Sequence, residues 1–211
     1  MTRFYIARHG ETVFNAAARL QGGARHTPLT RAGFAQAEAM GQALRATLGP
    51  RPALTLWASP TDRALQTLAI IAEHLELDWH AARTDARLTE IDVGDWGSRT
   101  YKEIERESPG FFDPAARLFA RRPPGGEWYD DIAVRLRAWL DDHGGEAGDR
   151  LVVMHGVSSC VLRGLLTGAA DRDGCGAPVA EGLDQGAIAC VADGAESVLH
   201  RPGTASAHRT A

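Results

Sequence analysis

Three short apolar runs, each ending on a polar or ionisable residue, constrain the fold of this chain more than any other feature. They are Phe4-Tyr5-Ile6-Ala7 before Arg8-His9, Leu54-Thr55-Leu56-Trp57-Ala58 before Ser59-Pro60, and Leu151-Val152-Val153-Met154 before His155-Gly156. Each run is apolar on both alternating faces, the pattern of a central parallel strand covered by helices on either side. Amphipathic helical stretches lie between them. Alternation of this kind predicts the α/β class, as a three-layer α/β/α sandwich with a mainly parallel central sheet. Two later runs, around Ala187–Val191 and Ser197–Leu199, are expected to add strands as a hairpin.

The helices follow from the 3.6-residue period. Thr30 is an N-cap candidate ahead of Gly33, Ala37, Met40, Leu44 and Leu48 on one face. Ser59-Pro60 reads as N-cap plus first-turn proline, opening a helix with Ala64, Leu68, Ile71 and Leu75 inward. Ile132, Leu136 and Trp139 mark a third helix, and Val157, Val161 and Leu165 a fourth. Residues 98–127 have weaker periodicity and contain Pro109, Pro114, Pro123 and Pro124, so this stretch is expected to leave the sheet and cover the site. One domain is expected over residues 1–200, with a disordered tail over 201–211.

Composition removes several function classes. A net charge of −4 argues against nucleic acid or an anionic membrane as the main partner, so any anion site must be a local convergence of cations. Lys102 is the sole lysine, which makes arginine the default cation and lowers the information in any one surface arginine. The arginine, alanine and glycine bias matches GC-rich coding and points to a bacterial source. Cys160, Cys175 and Cys190 are widely spaced and read as free thiols in a reducing compartment. Met1-Thr2-Arg3-Phe4 enters a strand at once and leaves no room for a signal peptide, and no run approaches a membrane span. A cytoplasmic protein is expected. His26, His74, His80, His143, His200 and His208 show no zinc-ligand spacing, so no metal site is expected.

The three strand ends carry the chemistry. Ligands of open α/β sheets bind beyond the carboxyl ends of the strands, so Arg8-His9, Ser59-Pro60 and His155-Gly156 are predicted to converge. A phosphoryl group needs fixed positive donors on its equatorial oxygens and a nucleophile in line with the leaving oxygen. Arg8 and Arg63 suit the first need, because a guanidinium fork matches two phosphate oxygens at about 1.5–3 kcal/mol per charge-assisted bond. His9 suits the second through a neutral ring nitrogen. His155 would add a donor, as would the backbone N–H groups of the helix that follows it. Glu90 is the candidate to protonate the leaving alkoxide, at a position expected to be partly buried, with Glu11, Asp92 and Asp95 as alternatives nearby.

The order of these landmarks resembles the histidine phosphatase superfamily, in its phosphoglycerate-mutase-like branch. The resemblance is carried by Arg8-His9-Gly10-Glu11-Thr12 with Asn15, by Gln21-Gly22, and by Pro28-Leu29-Thr30-Arg31-Ala32-Gly33 with Gln36-Ala37. It continues at Ser59-Pro60 with Arg63-Ala64 and Gln66-Thr67, and at Leu88, Glu90, Gly94, Trp96 and Gly97. It closes with Pro124-Gly125-Gly126-Glu127 and Val153-Met154-His155-Gly156. What it implies is a phosphoglycerate-mutase-like fold and a covalent phosphohistidine on His9. Arg8, Arg63 and His155 would form the phosphate pocket, and Glu90 would be proton donor and then acceptor. Asn15, Gln21 and Gly22 would be substrate-binding, and no metal or organic cofactor is implied. The chain departs from the family at His26, at Trp128 and around Gln185, the first two expected at the pocket rim.

Plainer readings stand beside these. Asn15 and Gln21 could serve as loop caps, Trp96 and Trp128 as packing groups, and Arg117, Arg121 and Arg122 as a solvated helix face instead of a site for a second anionic group. Three activities remain in play. The first is hydrolysis of a small phosphorylated metabolite; the second is a mutase returning the phosphoryl group to another hydroxyl; the third is a phosphate-binding or protein-docking module without turnover. The acid in Ile91-Asp92-Val93 stands where a mutase of the family carries cations, which favours the phosphatase. The expected partner is a small phosphomonoester, with a homodimer left open.

Overall fold

The strands and helices alternate along the chain as their apolar periods require. In the computed structural model, which describes residues 2–203, β1 (Arg3–Arg8) is followed by α1 (Val13–Ala16) and α2 (Arg31–Leu48), then β2 (Leu54–Ala58), α3 (Asp62–Leu75) and β3 (Arg83–Thr84). An excursion from the sheet carries α4 (Tyr101–Glu107), β4 (Phe112–Asp113) and β5 (Leu118–Phe119). The chain then returns through α5 (Tyr129–His143), β6 (Asp149–Met154), α6 (Gly156–Thr167), β7 (Ile188–Ala192) and β8 (Ala195–His200). From residue 204 onward, the tail expected over 201–211 lies outside the described residues.

The sheet order is β3-β2-β6-β1-β7-β8. The first four strands are parallel, and β7 and β8 close the edge as an antiparallel hairpin. Strand residues divide between the two faces with period two. Phe4, Ile6, Trp57, Val152 and Met154 join the core under α5 and α6, with Ile132, Leu136, Trp139 and Val161. Tyr5, Ala7, Leu56, Leu151 and Val153 join the core under α2 and α3, with Met40, Leu44, Leu68 and Ile71. Each large apolar side chain fully buried here contributes about 1.5–3 kcal/mol. The result is the three-layer α/β/α sandwich. Among the described residues, no helix is long and apolar enough to cross a membrane.

Two local expectations need correction. The N-cap of α3 is Thr61, not Ser59, and the helix opens at Asp62. The Ser59 N–H instead extends the β2 ladder to the carbonyl of Val153, at 3.1 Å. A residue before proline is pushed to extended backbone, so Ser59 prolongs the strand and the helix starts beyond Pro60. The Arg117, Arg121 and Arg122 group is not a helix face. Arg117 sits in the turn between β4 and β5 in a left-handed conformation (φ 58°), and Arg122 pairs with Asp131 at 2.7 Å.

Candidate active site

The parallel pairing of β1 with β6 sets Arg8 opposite Met154, so the next residue of each strand emerges at the same edge of the sheet. Those residues are His9 and His155. The His9 N–H continues the ladder to the Met154 carbonyl at 3.1 Å, and the two imidazoles meet edge to face with centroids 5.2 Å apart. Beyond His9 the chain turns closely over the N-terminus of α2. A Cβ on Gly10 would stand 2.3 Å from the Gly33 carbonyl oxygen, and one on Gly33 would stand 2.1 Å from that of Glu11.

The hydrogen bonds of the two histidines give them opposite tautomers. His9 Nδ1–H donates to the carbonyl of its neighbour Gly10 at 2.7 Å, which leaves Nε2 with a free lone pair. His155 Nδ1 accepts from Arg63 Nε at 3.2 Å, so its proton resides on Nε2, a buried atom without a partner among the described residues. Both rings are almost wholly buried. Burial first, then the positive charge of Arg63 and Arg8, hold His9 well below the usual histidine range. Burial and Arg63 do the same for His155. The pair thus places a neutral ring with an open Nε2 lone pair beside a neutral ring that carries its proton on Nε2.

The two arginines differ in how far the protein has committed them. Arg63 is fully buried in the first turn of α3. Besides His155, it donates to the carbonyls of Ala24 (2.6 Å) and Gly22 (2.7 Å) and to the Thr27 hydroxyl (2.8 Å). That uses four of its five N–H groups. Burial draws its pKa down to about 10, with Glu90 and Asp62 opposing, so it stays charged. Among the described residues Arg8 gives only Nη1, to the Leu183 carbonyl at 2.8 Å, and its buried Nε has no partner. Gly156 lets this guanidinium approach: a Cβ there would lie 3.2 Å from Arg8 Cζ.

Asn15 and Gln21 join the cap of α1 and also line the cavity. Asn15 Oδ1 accepts from the Thr12 N–H (3.1 Å), Gln21 Nε2 (3.2 Å) and Gln185 Nε2 (2.7 Å), closing a capping box on α1. Among the described residues its Nδ2 group meets no protein acceptor, and the side chain lines the cavity beside Gln21 and Gly22. The Glu90 carboxylate accepts from the backbone N–H groups of Val157 (3.1 Å) and Ser158 (2.9 Å) in the first turn of α6. Of the alternative acids, Glu11 accepts from the Thr30 hydroxyl at 2.7 Å, while Asp92 and Asp95 are exposed. Only Glu90 of the four lines the cavity. The cavity, of about 160 Å³, thus joins Arg8, His9, Asn15, Gln21, Glu90 and Gly156.

Residues 4–176 match the model of the histidine phosphatase superfamily, branch 1. The chain belongs to that superfamily. Among curated members it is 35% identical over 140 residues to the glucosyl-3-phosphoglycerate phosphatase of Mycobacterium tuberculosis, covering 64% of this chain and 57% of that protein. It is 33% identical over 159 residues to the 6-phosphofructo-2-kinase/fructose-2,6-bisphosphatase of Caenorhabditis elegans, covering 75% of this chain and 33% of that one. The chain therefore spans one third to less than three fifths of the length of these relatives. Among solved structures, a mycobacterial glucosyl-3-phosphoglycerate phosphatase in complex with VO3 superposes with a TM-score of 0.72 at 27% identity, covering 90% of this chain and 92% of that one.

Within this superfamily member, the positions that depart from the family pattern take different roles. His26 is exposed and pairs with Asp62 at 3.0 Å, and Trp128 donates its indole N–H to the Gly174 carbonyl at 2.9 Å. Neither lines the cavity. Gln185 does reach inward, donating to Asn15 and to the Gly10 carbonyl at 3.2 Å. Residues that sequence reasoning missed are Tyr101, Phe112 and Phe119 from the excursion, and Gly182 and Leu183 ahead of β7. Thr100-Tyr101-Lys102-Glu103 carries a capping-box signature that could have located α4, and the box is formed.

Proposed function

We propose that this chain hydrolyses small phosphomonoesters through a covalent phosphohistidine on His9. The observation that carries the proposal is the opposed tautomers of His9 and His155, one offering a lone pair and the other an N–H. In the first step His9 Nε2 attacks phosphorus, the bond to the ester oxygen breaks, and the Glu90 carboxylic acid gives its proton to the departing alkoxide. Arg8, the remaining N–H of Arg63, the Nδ2 group of Asn15 and His155 Nε2–H hold the phosphoryl oxygens as charge builds on them. In the second step water attacks phosphorus, the Glu90 carboxylate takes its proton, and the P–N bond breaks. Inorganic phosphate and neutral His9 result, and Glu90 is again an acid.

Residues 98–127 serve as the cover of a single catalytic domain in this reading. A mutase needs free cations to position a carboxylate; Arg117 is already ion-paired with Asp184, which supports hydrolysis over isomerisation. Three free cysteines and the arginine-rich composition fit a bacterial cytoplasm. Release of p-nitrophenol from p-nitrophenyl phosphate tests the activity. The wild-type protein is expected to turn over and His9→Ala to lose at least about 10²-fold in kcat; equal rates for the two would sink the proposal.

A further inference from the structure

The hydrolytic reading, on which this inference rests, leaves the alcohol half of the substrate open, and the rest of the cavity wall describes it. Leu20, Ile91, Val93 and Phe119 line that wall, and each is at most 5% exposed, so its shape is set by the core. Tyr101 and Phe112 complete it, with ring centroids 5.1 Å apart edge to face, and Phe112 meets Phe119 at 5.7 Å in the same manner. Burial pushes the Tyr101 phenol up, so its hydroxyl is neutral. Of the two cations along this wall, Arg19 is exposed at its rim and Arg117 is charge-paired. Arg19 donates to the Ser98 carbonyl at 2.7 Å, and Arg117 is paired with Asp184. The contact is braced by the hairpin tip packing on Gly182, where a Cβ would lie 2.8 Å from the Arg117 Cβ.

We propose that the alcohol half is uncharged and apolar, an aryl or arylmethyl group seated against Tyr101 and Phe112, and that carboxylate-bearing and sugar phosphates are poor substrates. A charge or hydroxyl set against Leu20, Ile91, Val93, Phe112 and Phe119 loses water and gains no partner from them. An aromatic ring instead meets rings already disposed for edge-to-face contact.

The test compares benzyl phosphate with glycerol 3-phosphate and 3-phosphoglycerate, all alkyl esters, so that leaving-group reactivity does not decide the result. Turnover is measured on the wild type and Phe112→Ala, and binding by calorimetry on His9→Ala. Benzyl phosphate is expected to lead in kcat/KM and in affinity by about 10–10²-fold. Phe112→Ala should cut that lead through KM, while its affinity for inorganic phosphate stays that of the wild type. Equal or better turnover and binding of 3-phosphoglycerate or glycerol 3-phosphate, with hydrolysis still lost in His9→Ala, would overturn the inference and leave the phosphatase reading standing. Tight benzyl phosphate binding with no turnover of any ester would support the inference and overturn the phosphatase reading.

Discussion

His9 and His155 are buried as neutral bases, and that has a consequence for stability. Their folded-state pKa values lie below the unfolded value of about 6.5. The stability each contributes is therefore complete above about pH 6.5 and is lost as pH falls toward the lower folded value, because the unfolded chain then binds more protons. Each ring should give a slope of about 1.4 kcal/mol per pH unit in that window. Urea unfolding between pH 7 and 5 should show the fall in the wild type and a shallower one in a His9→Asn/His155→Asn double variant; identical slopes would contradict it. Glu90 makes a second residue-scale prediction. In the proposed role of proton donor it matters most for a basic leaving group. Glu90→Gln should lower kcat for an alkyl phosphate by about 10²-fold or more, and much less for p-nitrophenyl phosphate. An equal loss on both esters would point to a role in holding the first turn of α6 instead.

Among the elements, the tightest packing behind the site is where α2 meets the turn after His9. Gly33→Ala would drive a methyl group into the Glu11 carbonyl, an overlap that backbone must relieve. A cost of about 1–3 kcal/mol is expected, at about 2–4 °C of Tm per kcal/mol for a chain of this size. Calorimetry showing an unchanged Tm would mean the turn yields freely. The helices and the parallel strands were legible because their periods are long and clean, as in Ala64, Leu68, Ile71 and Leu75 of α3. The start of α3 was not, since Ser59-Pro60 carries a helix-start signature that the strand ladder overrides. The strand ends Arg8-His9 and His155-Gly156 announced one side of the cavity. Leu183 did not announce itself, and Gln185 stood out only as a departure from the family pattern, because both precede a strand. They reach the site only because β7 runs antiparallel to β1, which brings the start of β7 beside the end of β1.

For the molecule as a whole, the cavity is assembled from segments far apart in sequence around one edge of the sheet. Strand ends supply Arg8, His9 and Gly156, and the remainder comes from residues 15–22 and 90–93, the excursion, and Gly182 and Leu183. The excursion was illegible in detail for a physical reason: two-residue strands such as β4 and β5 have no periodicity to read, and the aromatic packing that fixes them is tertiary. The superfamily and the fold class thus follow from sequence, while the shape of the cavity needs the fold. The most direct measurement of the proposed chemistry is a rapid quench into base after mixing enzyme with a phosphomonoester, followed by mass spectrometry of the digested protein. An acid-labile phosphate is predicted on His9, appearing within the first turnover and decaying as product phosphate rises. Turnover with no label on His9, or with label on another residue, would contradict the phosphohistidine route.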